Sequence, residues 1–283
     1  MKSVKKIAYL FLLFILLNAG LAEAETEETY EMSGTHETAE ITETPENAAP
    51  FRIGTGFGYS FAGYREETDL PLNRYINFFS FVLDGNFEKG NYIYSFNSLF
   101  LIGKNMSISI NTTDDYFTYY QKESNCIRAS IENALDYHLW GADSSSSFPG
   151  YLGGALRCDV YFIHLPQTFY YSLTAIVSLN VHVSQKWIIN EKNTLVFSAS
   201  LPVFGYGVRP PYYGLLYTPL DLAMDFVSLH NYWAVFCDVK YQYKINNLLC
   251  FYTNLGFELS HITFPQPRKD ASIRVNAGIS FNF

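Results

Sequence analysis

Two short stretches of the sequence combine residue types that could do acid–base or nucleophilic chemistry. Asp136-Tyr137-His138 sets a carboxylate and an imidazole two residues apart, so on a β-strand both point to one face. A carboxylate that orients an imidazole is what general acid–base catalysis requires, and Asp114-Asp115 supplies a candidate partner pair of carboxylates. Ser228-Leu229-His230 offers a hydroxyl and an imidazole at the same spacing, the minimum for an activated nucleophile. A third stretch suits binding. Arg209-Pro210-Pro211-Tyr212-Tyr213, with Tyr217 close behind, joins a rigid diproline to a cation and aromatic rings. Thr218-Pro219-Leu220-Asp221 then reads as a helix start, with Thr218 as cap and Pro219 at the first helical position. The competing reading of this stretch is a lid that packs into whatever lies beneath. The elements that carry these residues decide among the readings.

Those elements are β-strands. From residue 51 the dominant signal has period two. Phe51, Ile53, Thr55, Phe57, Tyr59 and Phe61 alternate with Arg52, Gly54, Gly56, Gly58, Ser60 and Ala62. The same pattern runs through Thr168–Trp187, broken only at Ile176, and through Ser272–Phe283. A soluble sandwich also alternates, but these strands are longer than the five or six residues usual in globular sheets. Their small polar face is also poor in charge. Both features fit a transmembrane barrel, apolar towards lipid and small or polar towards the lumen, and closed because hydrocarbon tolerates no open sheet edge.

The chain end resembles the C-terminal β-signal of Gram-negative outer-membrane proteins. Asn276-x-Gly278-x-x-Phe281-x-Phe283 matches its pattern of polar, glycine and two spaced aromatics at every position. The resemblance implies insertion by the outer-membrane assembly machinery and a last strand descending to the periplasm. Strands are then expected at Phe51–Gly63, Arg74–Leu83, Tyr92–Leu101, Ile127–Leu139, Tyr151–Ile163, Phe169–Trp187, Thr194–Phe204, Val227–Tyr243, Leu248–Ser260 and around Arg274. Gly205–Phe226 becomes the longest outer loop. Residues 102–125 leave an alternative open: one outer loop gives ten strands, whereas a hairpin of Met106–Asn111 and Tyr116–Gln121 gives twelve. An all-β antiparallel up-and-down barrel of ten strands is preferred.

On this register Arg128, Glu132, Asp136, Arg157, Asp159, Lys186, Asp238, Lys240, Glu258 and Arg274 face inward, five acids against five bases. Tyr161, Tyr170, Tyr232, Phe236 and Tyr252 crowd the same space. A narrow, self-neutralising lumen argues against an open porin, which needs more strands. Asp136-Tyr137-His138 resembles the Asp-x-His of omptin-type outer-membrane proteases. That family works at the outer rim, however, whereas His138 falls near the periplasmic end, so a structural lumen pair is preferred. Ser228 and His230 are similar to the Ser/His pair of outer-membrane phospholipases, which faces lipid. Here both are expected to share the lumen face of Asp238 and Lys240.

The N-terminus reads as a secretory signal. Lys2, Lys5 and Lys6 precede the apolar run Ile7–Leu17, and Ala22-Glu23-Ala24 supplies a cleavage site, giving a signal peptide over 1–24. Residues 25–50 read as an acidic flexible tail, and 51–283 as the barrel. Residues 23–50 hold nine Glu and no Lys or Arg, whereas 51–283 hold 16 Lys and Arg against 18 Asp and Glu. That near-neutral barrel has no basic stripe for nucleic acid. Cys126 and Cys250 are expected inward, Cys158 and Cys237 outward, as four buried thiols outside any disulfide. Their spacing fits no zinc pattern, so neither metal nor cofactor is expected. The expected partners are outer-membrane lipid and lipopolysaccharide, the assembly machinery and an extracellular ligand, with the barrel a monomer. The preferred function is non-catalytic, structural or surface-binding. The alternative is an outer-membrane hydrolase acting on lipid or peptide at the outer rim. Composition agrees with the alternation: 48% of residues are hydrophobic and 16% charged, yet mean hydropathy is zero.

Overall fold

The computed structural model describes residues 51–66, 72–109, 120–141, 147–165, 170–209, 223–264 and 267–283. Residues 1–50, with the expected signal and tail, lie outside them, as do Asp114, Asp115 and residues 210–222. The strands are β1 (Phe51–Glu66), β2 (Leu72–Lys89), β3 (Tyr92–Ser109), β4 (Tyr120–Trp140), β5 (Gly150–Leu165), β6 (Tyr170–Asn190), β7 (Asn193–Arg209), β8 (Ala223–Ser228), β9 (Tyr232–Lys244), β10 (Leu249–Ile262) and β11 (Arg268–Asn282). All pairings are antiparallel, and β1 pairs with β11 to close the ring. Segments β8 and β9 pair with successive parts of β7, residues 204–209 and 193–200. They are therefore two pieces of one stave, and the barrel has ten. The described residues of 102–125 form neither the single outer loop of the ten-strand expectation nor an added pair of staves. Ser109 pairs with Tyr120, so residues 106–109 and 120–121 simply extend β3 and β4 against each other.

The short connections cluster at the end that also holds Phe51 and Phe283, the end that the resemblance of the terminal motif assigns to the inner side. Their residues explain their tightness. Lys89 pairs with Tyr92 across Gly90-Asn91, where Gly90 has φ 58°, the positive φ that two-residue hairpin turns demand. At residues 190–193 the Asn190 carboxamide accepts from the Lys192 and Asn193 amides at 3.0 and 2.9 Å. Asn246 repeats this on Leu248 and Leu249 at 3.0 and 2.7 Å. These are side-chain-closed turns.

Alternation sets the two faces. On β2 the inward Ile76, Phe78, Ser80, Val82 and Asp84 are buried, while the outward Tyr75, Phe79 and Phe81 are exposed. The outer surface displays Phe57 at 56%, Leu135 at 56% and Val275 at 57% exposure, part of an apolar band too large for a water-facing surface. Cys126 and Cys250 are buried, Cys158 and Cys237 only partly so, which corrects the expectation of four buried thiols. No disulfide joins any of them. The outward pair faces the surroundings and not the packed lumen.

Two irregularities in one corner reset the phase. Leu179 pairs with Phe204 and Asn180 with Pro202, leaving Val203 as the extra residue of a β-bulge. The neighbouring stave breaks at residues 229–231. There the Asn231 carboxamide oxygen accepts from the Ser228 amide and its NH2 donates to the Phe226 carbonyl, both at 2.8 Å. Below the break Tyr232, Ala234 and Phe236 are buried; above it Val227 is buried, and Met224 and Phe226 are exposed. Ser228 therefore shares the outward face of Met224 and Phe226, not the lumen face of Asp238 and Lys240 that uninterrupted alternation predicts. The strands around it also run further than expected. Residues 205–209 and 223–226 belong to β7 and β8, so the outer connection shrinks to residues 210–222.

Candidate functional site

The side chains that bear on function lie in the lumen and at the outer rim. In ring order β4 and β10 stand on opposite walls. Arg128 of β4 nonetheless reaches Glu258 of β10 at 2.5 Å, and also meets Asp159 of β5 at 3.2 Å. Arg157 lies beside it, with Nε on Asp159 at 2.7 Å, Nη1 on Glu132 at 3.4 Å and Nη2 3.8 Å from Glu258. Its guanidinium also stacks 3.6 Å over the Phe236 ring. Two arginines thus hold three carboxylates from β4, β5 and β10, and the cluster crosses the tube. Low polarity strengthens each contact and makes any missing partner costly.

A second device recurs along the wall: an inward glycine lets the side chains of its two flanking strands meet across it. Gly256 of β10 pairs with Arg274 and Asp238, which join at 2.7 Å. Gly58 of β1 pairs with Asn276 and Ser80, which hydrogen-bond to each other. Gly153 of β5 pairs with Asp136 and His182, and both carboxylate oxygens of Asp136 lie within 2.8–2.9 Å of His182 Nδ1. A Cβ on Gly153 would come within 2.5 Å of Asp136 Oδ1, so only glycine leaves that path open.

This geometry corrects the Asp136–His138 dyad. His138 instead stacks on Tyr151, its directly opposite residue, at 4.6 Å, while Asp136 turns the other way to His182. Residues at i and i+2 share a face two rises apart, roughly 7 Å, a gap that the long side chains of Arg157 and Arg268 bridge to Asp159 and Asp270 but that Asp136 and His138, each turned to another strand, do not. The true partner is two strands away. Sequence reasoning also misses Asp84, which pairs with Lys240, and Arg52, which donates to Gln242 at 2.6 Å. The polar phase of β1 and β2 is the signal that could have found both. Lys186 comes within 3.9 Å of Glu88 near the inner end.

The lumen closes above as well. Arg268 pairs with Asp270 at 2.7 Å and lies 4.6 and 4.8 Å over the Tyr64 and Tyr161 rings. Between this layer and the arginine cluster is a cavity of about 40 Å³, lined in part by Arg128, Glu258 and Tyr232. That is space for water, not for an organic substrate. Arg209, expected on the loop, is the last residue of β7. It is 4% exposed and donates from Nη1 to the Phe264 carbonyl at 2.9 Å. Tyr212, Tyr213 and Tyr217 lie outside the described residues. Ser228 and His230 do converge, with the hydroxyl hydrogen-bonded to Nδ1. Among the described residues no cluster of three or more His, Cys, Asp or Glu is placed to hold a metal. In the terminal motif, Asn276 is buried, Gly278 lies against the Tyr252 ring and Phe283 packs 6.1 Å from Phe51.

These features define a closed, ten-stranded, antiparallel up-and-down barrel of the outer-membrane type. Among solved structures, the outer-membrane protease OmpT from Escherichia coli is similar in fold, with a TM-score of 0.56 at 8% identity over 85% of this chain and 99% of that one. Neisserial surface protein A overlaps at 11% identity over 84% of this chain and 100% of that one, with a TM-score of 0.35 that is too low to bear on function. No protein-family model and no curated protein sequence matches the chain.

Proposed function

We propose that the chain is an integral outer-membrane barrel of non-catalytic kind, with a filled lumen and with its interactions made at the outer rim and loops. The observation that carries this reading is the Arg128–Glu258 pair, which ties opposite walls together across the tube. A solute path along the axis would have to break it along with the contacts of Arg157. The exposed apolar band and the short connections at one end support a membrane location. Export through the signal at 1–24, an acidic tail over 25–50 and delivery by the assembly machinery through Asn276, Gly278, Phe281 and Phe283 complete the reading. The loop tyrosines Tyr212, Tyr213 and Tyr217 are the candidate ligand contacts, and Arg209 braces the end of β7 that leads into them. In planar bilayers the purified protein is expected to pass no steady current. A stable, porin-like conductance would sink the filled-lumen reading.

The Ser228–His230 hydrogen bond, on a strand face shared with Met224 and Phe226, favours one second reading, a hydrolase of membrane lipid. The hydroxyl occupies Nδ1, the nitrogen that an orienting carboxylate holds in Ser-His-Asp sites, which weakens it. Fatty-acid release from phospholipid micelles that Ser228→Ala abolishes would establish this activity. No release from the native protein would dismiss it.

A further inference from the structure

The outward face of the outer rim carries an arrangement that the lumen does not explain. Reading across the sheet at one level, Trp233 pairs with His261, His261 with Lys269, and Lys269 with Arg65. Each adjoins a buried inward residue in its own strand and so points to the exterior. Two cations and an imidazole thus stand side by side on β1, β11 and β10, a local concentration of positive charge that attracts anions. One level down the sequence changes character: Leu259 pairs with Ala271, Ala271 with Gly63, and Gly63 with Tyr75. The small pair Ala271 and Gly63 leaves a groove of about 290 Å³, bordered by Trp233, Leu259, Tyr75, Arg65 and Lys269, with Asp270 also in its lining but ion-paired to Arg268. Below the groove the band continues with Phe257, Ile273 and Phe61, each 45–47% exposed. A cationic row, a shallow slot framed by aromatics and an apolar slope follow one another down the wall. Amphipathic rings at a membrane interface sit at headgroup level.

We propose that this face binds one phosphorylated lipid of the surrounding membrane, with the headgroup phosphate on Arg65 and Lys269 and an acyl chain descending through the Gly63–Ala271 groove. This rests on the membrane reading above and adds to it a specific site and a ligand chemistry. Arg65 offers a phosphate a planar fork of donors, and Lys269 acts as a compact point charge. Trp233 and Tyr75 close the flanks, and the missing side-chain bulk at Gly63 admits the chain.

The experiment reconstitutes the full barrel in phosphatidylcholine vesicles containing either phosphatidylglycerol or a diphosphorylated lipid A. The protein is extracted in mild detergent, and the lipid that stays bound is quantified by native mass spectrometry. The native protein is expected to retain phosphorylated anionic lipid in preference to phosphatidylcholine. Arg65→Gln with Lys269→Gln should lower that preference by roughly tenfold or more, as removal of two cations near an anionic headgroup predicts. Ala271→Trp, which fills the groove and keeps both charges, should lower retention as well. Whichever anionic lipid stays bound identifies the headgroup. Equal retention of neutral and anionic lipid overturns the proposal, as does an unchanged preference in both variants. Displacement of the lipid by inorganic phosphate alone also overturns it, because the site would then hold a free anion. Heat-dependent gel mobility is followed in every sample. A barrel that shifts on heating but shows no lipid preference refutes this site alone, whereas a protein soluble without detergent refutes the membrane reading beneath it.

Discussion

The two faces of this barrel wall are built from the same strands by opposite rules. On the exterior each residue needs only its immediate neighbours: Phe57 lies 5.2 Å from Phe81 and Phe61 stacks 6.1 Å from Tyr75, both on the adjacent strand. In the lumen, local pairs such as Arg157–Asp159 and Arg268–Asp270 are joined by partners from distant strands. Arg128 meets Glu258, 130 residues away on the opposite wall, and Lys240 of β9 meets Asp84 of β2. Exterior contacts are therefore interchangeable, whereas lumen contacts depend on one another. A change that is absorbed outside should propagate inside.

The strongest test of that contrast removes Glu258, the one of the two carboxylates shared by both mid-lumen arginines that stands on the opposite wall. Glu258→Gln leaves Arg128 with Asp159 and takes one contact from Arg157. Removing one partner of a buried pair costs about 3–5 kcal/mol, read as a lowered urea midpoint by tryptophan fluorescence in detergent micelles. The double change Arg128→Met with Glu258→Met should recover most of the loss, because apolar side chains of similar volume replace a desolvated pair at little cost. A destabilisation no larger than that of an exterior Phe57→Leu change would erase the distinction between the faces.

The exterior should respond to charge and not to pairing. Val275 lies midway along β11, outward, between Tyr59 and Leu255. Val275→Arg should cost about 2–4 kcal/mol, the penalty for a cation at the lipid midplane, measured by reversible unfolding in vesicles. At the outer end of the same strand and face stands Lys269, a position where Lys269→Arg should cost nothing measurable. Equal penalties at the two positions would mean that this face does not cross a bilayer.

This difference between faces also marks how far the sequence can be read. Period-two alternation is a local signal, so it locates all ten staves. It also places the two faces of β6, down to the exception at Ile176. Register across the lumen is not local. Nothing near Asp136 in sequence announces that Gly153 opens a path to His182, and the nearer His138 is the natural but wrong partner. The phase error at Ser228 has a similar cause. A three-residue interruption closed by Asn231 turns the stave over, and the apolar positions on either side of it look like one continuous alternation. Arg209 falls in the expected loop Gly205–Phe226, as do Gly205 and Gly207. They instead extend β7 where inward bulk is not tolerated: a Cβ on Gly207 would meet Phe264 at 2.5 Å.

The glycine-bridged pairs give the finest version of the comparison, because they lie in the wall itself, between the two faces. Gly153→Ala adds one methyl on the lumen side, 1.9 Å from the Leu135 carbonyl oxygen, 2.5 Å from Asp136 Oδ1 and 2.6 Å from the Asp136 Cα. Part of that overlap is with backbone, so the strand has to shift, and part is with a carboxylate that can swing away only by releasing His182. Overpacking of this kind costs about 1–3 kcal/mol. The two parts separate in a double-mutant cycle. If the Asp136–His182 contact carries a share, Gly153→Ala should cost less in an Asp136→Ala background than in the native chain, because the contact it breaks is already gone. If the costs simply add, the glycine is there for backbone approach alone. By contrast, Gly154→Ala, on the outward side of the same strand, would place its methyl no closer than 3.8 Å to any neighbour. It should leave the unfolding midpoint unchanged, so two adjacent glycines of one strand would report the opposite rules of the two faces.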